Sequence, residues 1–210
     1  MGDGFYRLMM VASLAIPSFA MAARLEHVWR APGEVDEGRW VSRGVGVFVM
    51  EFILLHSGTF MGTRILAGGD GAPGSIAFAG LVGLYALFAA AISMAFSSPT
   101  LLFSFMGLVA GRFVAVIVGT ARQDAEFLLA HSVVAMVIYF AMVLASVFVP
   151  IPRRGITESV AARHRVPNSS GLWVEEPHRA IGAAAIYFLL LGLAEVGLLS
   201  WMDPASFIPN

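Results

Sequence analysis

The chain lacks cysteine altogether, and its thirteen basic side chains are all arginine, so lysine is absent as well. Without cysteine it cannot form a disulfide framework, a thiolate metal site, an iron–sulfur cluster or a catalytic thiol. Without lysine it cannot hold retinal, pyridoxal phosphate or a keto substrate as a Schiff base. The net charge of −1 provides no electrostatic attraction to nucleic acid, and none is expected as a partner.

Charge of either sign is scarce. Only 13% of the residues are charged and 58% are hydrophobic, with a mean hydropathy of +0.80, whereas soluble domains carry about 25% charged residues. Residues 71–111 contain no charged side chain at all. The apolar runs are long and continuous, which indicates helices in a lipid bilayer and not the alternating strands of a barrel. The sequence therefore predicts an all-α, polytopic integral membrane bundle.

The length of the chain allows about six transmembrane helices, since one crossing needs about 20 apolar residues. Turn-forming residues separate the apolar runs: the glycine-rich segment 68–74, Ser97-Ser98-Pro99, and Pro150 with Pro152. These breaks predict one transmembrane domain over residues 1–210, with spans at 5–23, 44–66, 75–96, 99–120, 125–149 and 180–201.

Arginines set the predicted orientation. Residues 24–43 and 150–179 together hold nine arginines, while the opposite side of a six-span protein would hold Arg7, Arg64 and Arg122. The positive-inside rule then places both long loops in the cytoplasm and both termini in the periplasm of a bacterial inner membrane.

The first apolar run has a second interpretation. Arg7, the run from Leu8 to Pro17, and Ala20-Met21-Ala22 imitate a secretory signal peptide with a small-residue cleavage site. Cleavage there would leave both arginine-rich loops outside, against the positive-inside rule, so we favour a retained helix.

Five ionisable residues interrupt the predicted spans: Glu51, His56, Arg112, His131 and Glu195. Such groups are costly in a bilayer and typically mark a substrate or ion pathway. In the predicted orientation, four of them share the outer leaflet and Glu51 lies nearer the cytoplasm. Arg112 has no partner on its own helical face, and Glu195 is the nearest candidate in depth. The two would form either a structural ion pair or part of an anion-binding or gating site.

Two glycine pairs, Gly58 with Gly62 and Gly107 with Gly111, show the small-xxx-small spacing of close helix packing. Glu51 shares the helical face of Gly58 and Gly62. We therefore expect a neutral Glu51 carboxyl in a helix interface, where it would carry protons or hydrogen-bond to a neighbour.

His56 and His131 are candidates for a haem or a metal ion, since neutral imidazoles are common ligands of both. Their predicted depths differ by about 6 Å, however, which is unfavourable for two axial ligands of one haem. His131 is equally consistent with a solvated histidine near the membrane surface. No His-Glu-x-x-His or Gly-x-Ser-x-Gly motif is present, so we predict no catalytic residues and favour a function other than catalysis.

The second arginine-rich loop has two local features. Thr157 to Val160 predicts the start of a short surface helix that reaches His164 and stops before Pro167. The loop arginines are close enough to the membrane to contact anionic headgroups, at about 1 kcal/mol each, although a role in setting topology explains them equally well.

Three functions stay open from the sequence. The first is a small transporter or channel-like protein with an intramembrane polar site for a proton, an ion or a small anion. The second is an accessory or structural subunit of a larger membrane complex, or a homo-oligomer, whose buried charges pair with another chain. The third is a bis-histidine haem or metal redox protein.

Overall fold

A computed structural model describes residues 3–67, 76–96, 99, 102, 122–166 and 169–201. Within these residues the structure is helical and contains no strand, which confirms the all-α class. The helices are α1 (Asp3–Arg30), α2 (Trp40–Ala67), α3 (Ile76–Ala95), α4 (Arg122–Phe148), α5 (Glu158–Arg163), α6 (Leu172–Glu175) and α7 (Pro177–Trp201). Two 3₁₀ turns, Pro32–Glu34 and Asp36–Gly38, follow α1.

In the part of the chain that the structure describes, three helices are long and apolar enough to cross a membrane, through Trp40–Ser57 of α2, Leu129–Phe148 of α4 and Pro177–Gly197 of α7. A shorter apolar segment, Gly83–Ala95, lies in α3. The length and apolarity of these helices support the prediction of a membrane protein. The predicted number of six spans stays a prediction, and the span at 99–120 lies outside the described residues except for Pro99 and Leu102.

The helices extend beyond several of the predicted apolar runs. Helix α1 continues past residue 23 to Arg30, and α2 begins at Trp40, so only residues 31–39 separate them. The extension is favourable because Leu25 and Trp29 are buried, and because His27 and Arg30 in the last turn of α1 complement the helix dipole. Helix α7 begins at Pro177, a residue suited to the first helical position.

The predicted short helix after Thr157 is confirmed as α5. The Thr157 hydroxyl accepts a hydrogen bond from the backbone N–H of Val160, and His164 follows as the C-terminal cap. A serine or threonine cap of this kind satisfies one of the backbone donors at a helix start.

The chain divides into two compact units, residues 1–44 with 137–210, and residues 45–136. We call them the first and the second unit. In the second unit, Met50 and Ile53 of α2 form an apolar core with Tyr85 and Ala89 of α3.

In the first unit, α1 and α7 pack along each other in opposite directions. Gly182 lies against Trp29, and Gly192 lies against Phe19. Residue numbers therefore increase along α7 in the direction in which they decrease along α1, and the two helices are antiparallel. Helix α7 is buried over most of its first half, at Ala180, Ala183, Ala185 and Tyr187 among others. On both helices, some of the buried residues follow alternating intervals of three and four, the spacing of coiled-coil packing. They include Ala15, Ser18, Ala22, Leu25 and Trp29 of α1, and Ile181, Ala184, Phe188, Leu191 and Glu195 of α7. We call this interface the α1–α7 seam.

Two glycines allow the close approach around the seam. A Cβ atom on Gly182 would lie 2.7 Å from Ile151 Cγ2 and 2.9 Å from Trp29 Cζ2. A Cβ on Gly192 would lie 2.8 Å from Cε1 of the Phe19 ring. Real Cβ atoms do not come this close to carbon, so any larger residue would force the neighbours apart.

The turn between α1 and α2 is held from both sides. Asp36, Glu37 and Gly38 all have left-handed backbone angles, with φ of 50°, 56° and 85°. Arg39 and Arg43 form ion pairs with Asp36. The His164 ring covers Gly38 so closely that no Cβ would fit there. Burial lowers the pKa of His164, and the neighbouring Arg163 lowers it further.

Candidate functional site

Glu195 is the predicted pathway residue that the structure describes most clearly. Its side chain is buried on α7, and only 3% of the residue is exposed. It follows Leu191 on the buried face of α7, and the other buried positions of this stripe are apolar. Glu195 thus has a carboxyl group at a buried position where an apolar side chain would cost less free energy to bury.

His56 lies on α2 in the second unit, half-buried between two aromatic rings of the same helical face. Its ring centroid is 4.4 Å from that of Phe52 and 6.1 Å from that of Phe60. Its Nδ1 atom is buried and has no hydrogen-bond partner among the described residues. The neighbouring hydroxyl groups of Thr59 and Thr63 donate to carbonyl groups of α2 itself, each at 3.0 Å.

The other predicted residues divide between described and undescribed parts of the chain. Glu51 is partly buried on α2, and His131 is half-buried near the start of the α4 span. Gly58 and Gly62 lie within α2. Gly107, Gly111 and Arg112 lie outside the described residues, so the pairing of Arg112 with Glu195 stays a prediction.

Among the described residues, His56 and His131 do not belong to a cluster of three or more metal-ligating side chains. Within the described ranges, no three His, Asp or Glu side chains come together in a group able to hold a metal ion. A haem held by His56 and His131 alone needs only two ligands, so that hypothesis stays a prediction.

A polar junction around Trp29, at the end of α1, was not predicted. The indole N–H of Trp29 donates to the carbonyl of Pro152 at 2.8 Å, and the backbone N–H of Gly155 donates to the Trp29 carbonyl at 3.0 Å. The Arg154 guanidinium lies 3.9 Å from the centre of the Trp29 ring and 3.3 Å from Glu26 Oε1. We call this the Trp29 junction. It ties α1 to the segment that follows α4.

Arg179 connects the start of α7 to the end of α4. Its guanidinium donates to the carbonyl oxygens of Ser146, Val147 and Val149, at 3.3 to 3.5 Å. These carbonyls have no partner within their own helix at its C-terminus, and a cation there also complements the helix dipole. Arg179 also pairs with Glu176. The hydrogen bond from Arg179 lowers the pKa of Glu176.

Between these contacts lies a charged cleft of about 540 Å³. Its charged side chains are loosely paired: Arg153 lies 3.5 Å from both Glu158 and Glu176, and Arg165 lies 3.6 Å from Glu175. The walls are formed by Arg153, Glu158, Ala161, Ala162, Arg165, Leu172, Val174, Glu175 and Glu176. We call it the loop cleft.

Three tryptophans lie at this end of the first unit. Trp29 contacts Arg154, Trp40 lies under the guanidinium of Arg24 at 4.4 Å, and Trp173 donates to the Ser146 hydroxyl at 3.0 Å. Tryptophan beside arginine is typical of a membrane surface. In the predicted orientation this is the cytoplasmic surface.

No protein family model, no curated protein and no solved structure matches the chain.

Proposed function

We propose that the protein is a multi-pass membrane protein of the bacterial inner membrane that conducts a proton or a small ion, with Glu195 as an ionisable group of the pathway. The burial of the Glu195 residue within the apolar span of α7 carries this proposal. Ionisable residues inside membrane spans are rare because of their cost, and they most often mark substrate or proton routes.

Packing does not explain the carboxyl group. Position 195 belongs to the same buried stripe of α7 as Phe188 and Leu191, and both of those side chains are apolar. An apolar residue at 195 would continue the pattern without the cost of burying a carboxyl group. A departure from the local packing rule is most often found where function requires it.

The test is a proton-flux assay on the full chain in liposomes that contain a pH-sensitive dye. Potassium and valinomycin compensate the charge that moves. We expect the unaltered protein to dissipate an imposed pH gradient and Glu195→Gln to lose most of that flux, because an amide cannot release a proton at neutral pH. Glu34→Gln, at an exposed carboxyl group of the turn after α1, is the matched control and should keep full flux.

Glu195→Asp is the control for a general effect of substitution at this position, since it keeps the carboxyl group on a shorter side chain. Retained flux in the aspartate variant, together with its loss in the glutamine variant, supports the pathway. Equal flux in the glutamine variant and the unaltered protein would refute a role for Glu195. If no variant conducts and a second chain copurifies in fixed ratio, the accessory-subunit hypothesis replaces the transport proposal. Glu51, His56, Arg112 and His131 remain predicted pathway residues for the same assay.

A further inference from the structure

The loop cleft carries charges of both signs that are weakly held. The N–O distances of its ion pairs, 3.5 to 3.6 Å, exceed the 2.7–2.9 Å or so of a strong charge-assisted hydrogen bond. Two of the carboxyl groups are well exposed, with 85% of the Glu158 side chain and 56% of the Glu175 side chain accessible. Exposed pairs of this length are worth little and exchange readily with another partner.

The neighbouring charges are held more firmly. Arg179 is engaged by Glu176 and by the carbonyl groups at the end of α4. Arg154 is engaged by Trp29 and Glu26. Arg153 has ion pairs of 3.5 Å, and Arg165 has one ion pair of 3.6 Å and a hydrogen bond of 3.3 Å to the Ser169 carbonyl. Each guanidinium group has five N–H donors, more than these contacts use, and both groups line the cleft.

We propose that the loop cleft binds a zwitterionic group in which a phosphate and a primary ammonium lie close together, as in a phosphoethanolamine headgroup. Arg153 and Arg165 would take the phosphate, since the guanidinium fork matches its oxygens. Glu158 and Glu175 would take the ammonium, which donates three hydrogen bonds.

The lining discriminates against other headgroups. An anionic headgroup without an amine has no cation to pair with the carboxylates of Glu158 and Glu175, and its own negative charge would be repelled by them. A quaternary ammonium is best held by aromatic faces, whereas the residues that line the cleft are charged or aliphatic. A primary ammonium is the cation that fits carboxylate oxygens.

The position of the cleft suits a headgroup. Leu172 and Val174 of α6 form part of its wall, and Trp173 between them donates to Ser146 near the end of the α4 span. The residues that end this span, Val147 and Phe148, are exposed. The cleft thus opens beside the end of a transmembrane helix, where headgroups lie.

The experiment is native mass spectrometry of the full chain in maltoside detergent. The probes are phosphatidylethanolamine, phosphatidylglycerol and phosphatidylcholine with identical acyl chains, together with soluble phosphoethanolamine. We expect phosphatidylethanolamine to be retained best, and Arg165→Gln to weaken its binding about fivefold, as expected for one arginine at a headgroup. Arg163→Gln is the matched control, because Arg163 is exposed two residues away and does not line the cleft.

A glutamate variant distinguishes binding in the loop cleft from general electrostatic attraction to lipid. Glu175→Gln should weaken phosphatidylethanolamine binding and strengthen phosphatidylglycerol binding. Binding of soluble phosphoethanolamine at the same level as the lipid would support the cleft chemistry and identify a free zwitterion as the source. Unchanged phosphatidylethanolamine binding in correctly folded Arg165→Gln, or equal loss in Arg163→Gln, would overturn the proposal. The outcome is independent of proton flux through Glu195.

Discussion

Helices α4 and α7 are almost equally apolar, yet they are used differently. The mean hydropathy of their spans is 2.1 and 1.9, while 22% of the α4 span and 61% of the α7 span is buried within the protein. Mean hydropathy therefore indicates that a helix can lie in a membrane, but it does not show how much of the helix packs against other helices. In a bilayer, small residues distinguish the two cases, because they let backbones approach closely.

The side chains show where the difference comes from. Gly182 and Gly192 of α7 face close neighbours, and four alanines of the same helix are buried: Ala180, Ala183, Ala184 and Ala185. Helix α4 instead directs large side chains outward, among them Val137, Phe140 and Leu144. A face of this kind is suited to lipid. The comparison predicts that substitutions in and around the α1–α7 seam will destabilise the protein, whereas similar substitutions on the outward face of α4 will not.

The largest effect is expected at Trp29, which contacts Gly182 and holds the Trp29 junction. Trp29→Ala removes its hydrogen bond to Pro152, the stacked Arg154 and its packing against α7. We expect a loss of about 3–5 kcal/mol in the free energy of unfolding. Phe140→Ala on the exposed face of α4 should lose much less. Unfolding in mixed micelles of increasing SDS measures both, and equal losses would show that the two faces do not differ.

A smaller effect is expected where α4 and α7 are joined by Arg179. Arg179→Gln removes the cation that caps the carbonyl groups of Ser146, Val147 and Val149. Hydrogen bonds to charged groups contribute about 1.5–3 kcal/mol, and the loss should fall in that range in the same assay. Arg163→Gln is the control and should change stability by less than about 0.5 kcal/mol.

A matched pair of glycines on α7 sharpens the comparison within one helix. Gly192→Ala brings a methyl group against the Phe19 ring, whereas a Cβ on Gly197 meets no atom within 4 Å. We expect Gly192→Ala to cost about 1 kcal/mol or more through overpacking, and Gly197→Ala to be neutral or slightly stabilising. Equal thermal midpoints for the two variants would contradict the close approach of α1 and α7.

The smallest effect is a dependence on pH at Glu176. Its pKa lies below the ordinary value of 4.5 because Arg179 donates a hydrogen bond to the carboxylate. A lowered folded-state pKa contributes stability that is fully present above about pH 4.5 and is lost as the pH falls through the folded value. The thermal midpoint should therefore fall as the pH is lowered below about 4.5. In Glu176→Gln this part of the slope should disappear. A slope unchanged by the substitution would assign it to other carboxyl groups.

Local features of the fold could be predicted from the sequence because their signals are local. The apolar run predicted at 75–96 corresponds to helix α3. The Thr157 cap and the short helix up to His164 follow from four adjacent residues. The ends of α1 and α2 were predicted less well because apolarity alone set the limits, while tertiary packing of Leu25 and Trp29 extends α1 beyond them.

The long-range features had no such signal. Trp29 and Pro152 are separated by 123 positions, and no local pattern indicates that an indole at a helix end will meet that carbonyl. The glycine pairs predicted for packing, Gly58 with Gly62 and Gly107 with Gly111, have the familiar spacing of four. Gly182 and Gly192 of the α1–α7 seam do not, and could be identified only from their neighbours. Glu195 could be selected from the sequence because a charged residue in an apolar run is conspicuous, and its role in a pathway stays a prediction.

The α1–α7 seam also has a consequence for biosynthesis. Residues 31–176 are made between its two helices, which takes roughly 7–30 s at a synthesis rate of about 5–20 residues per second. During that interval α1 has been made while its partner α7 has not left the ribosome. Leu25, Trp29 and the rest of the α1 stripe then have no α7 to pack against. The first unit can therefore assemble only late in synthesis, and a nascent chain stalled before α7 would leave the buried side chains of α1 uncovered.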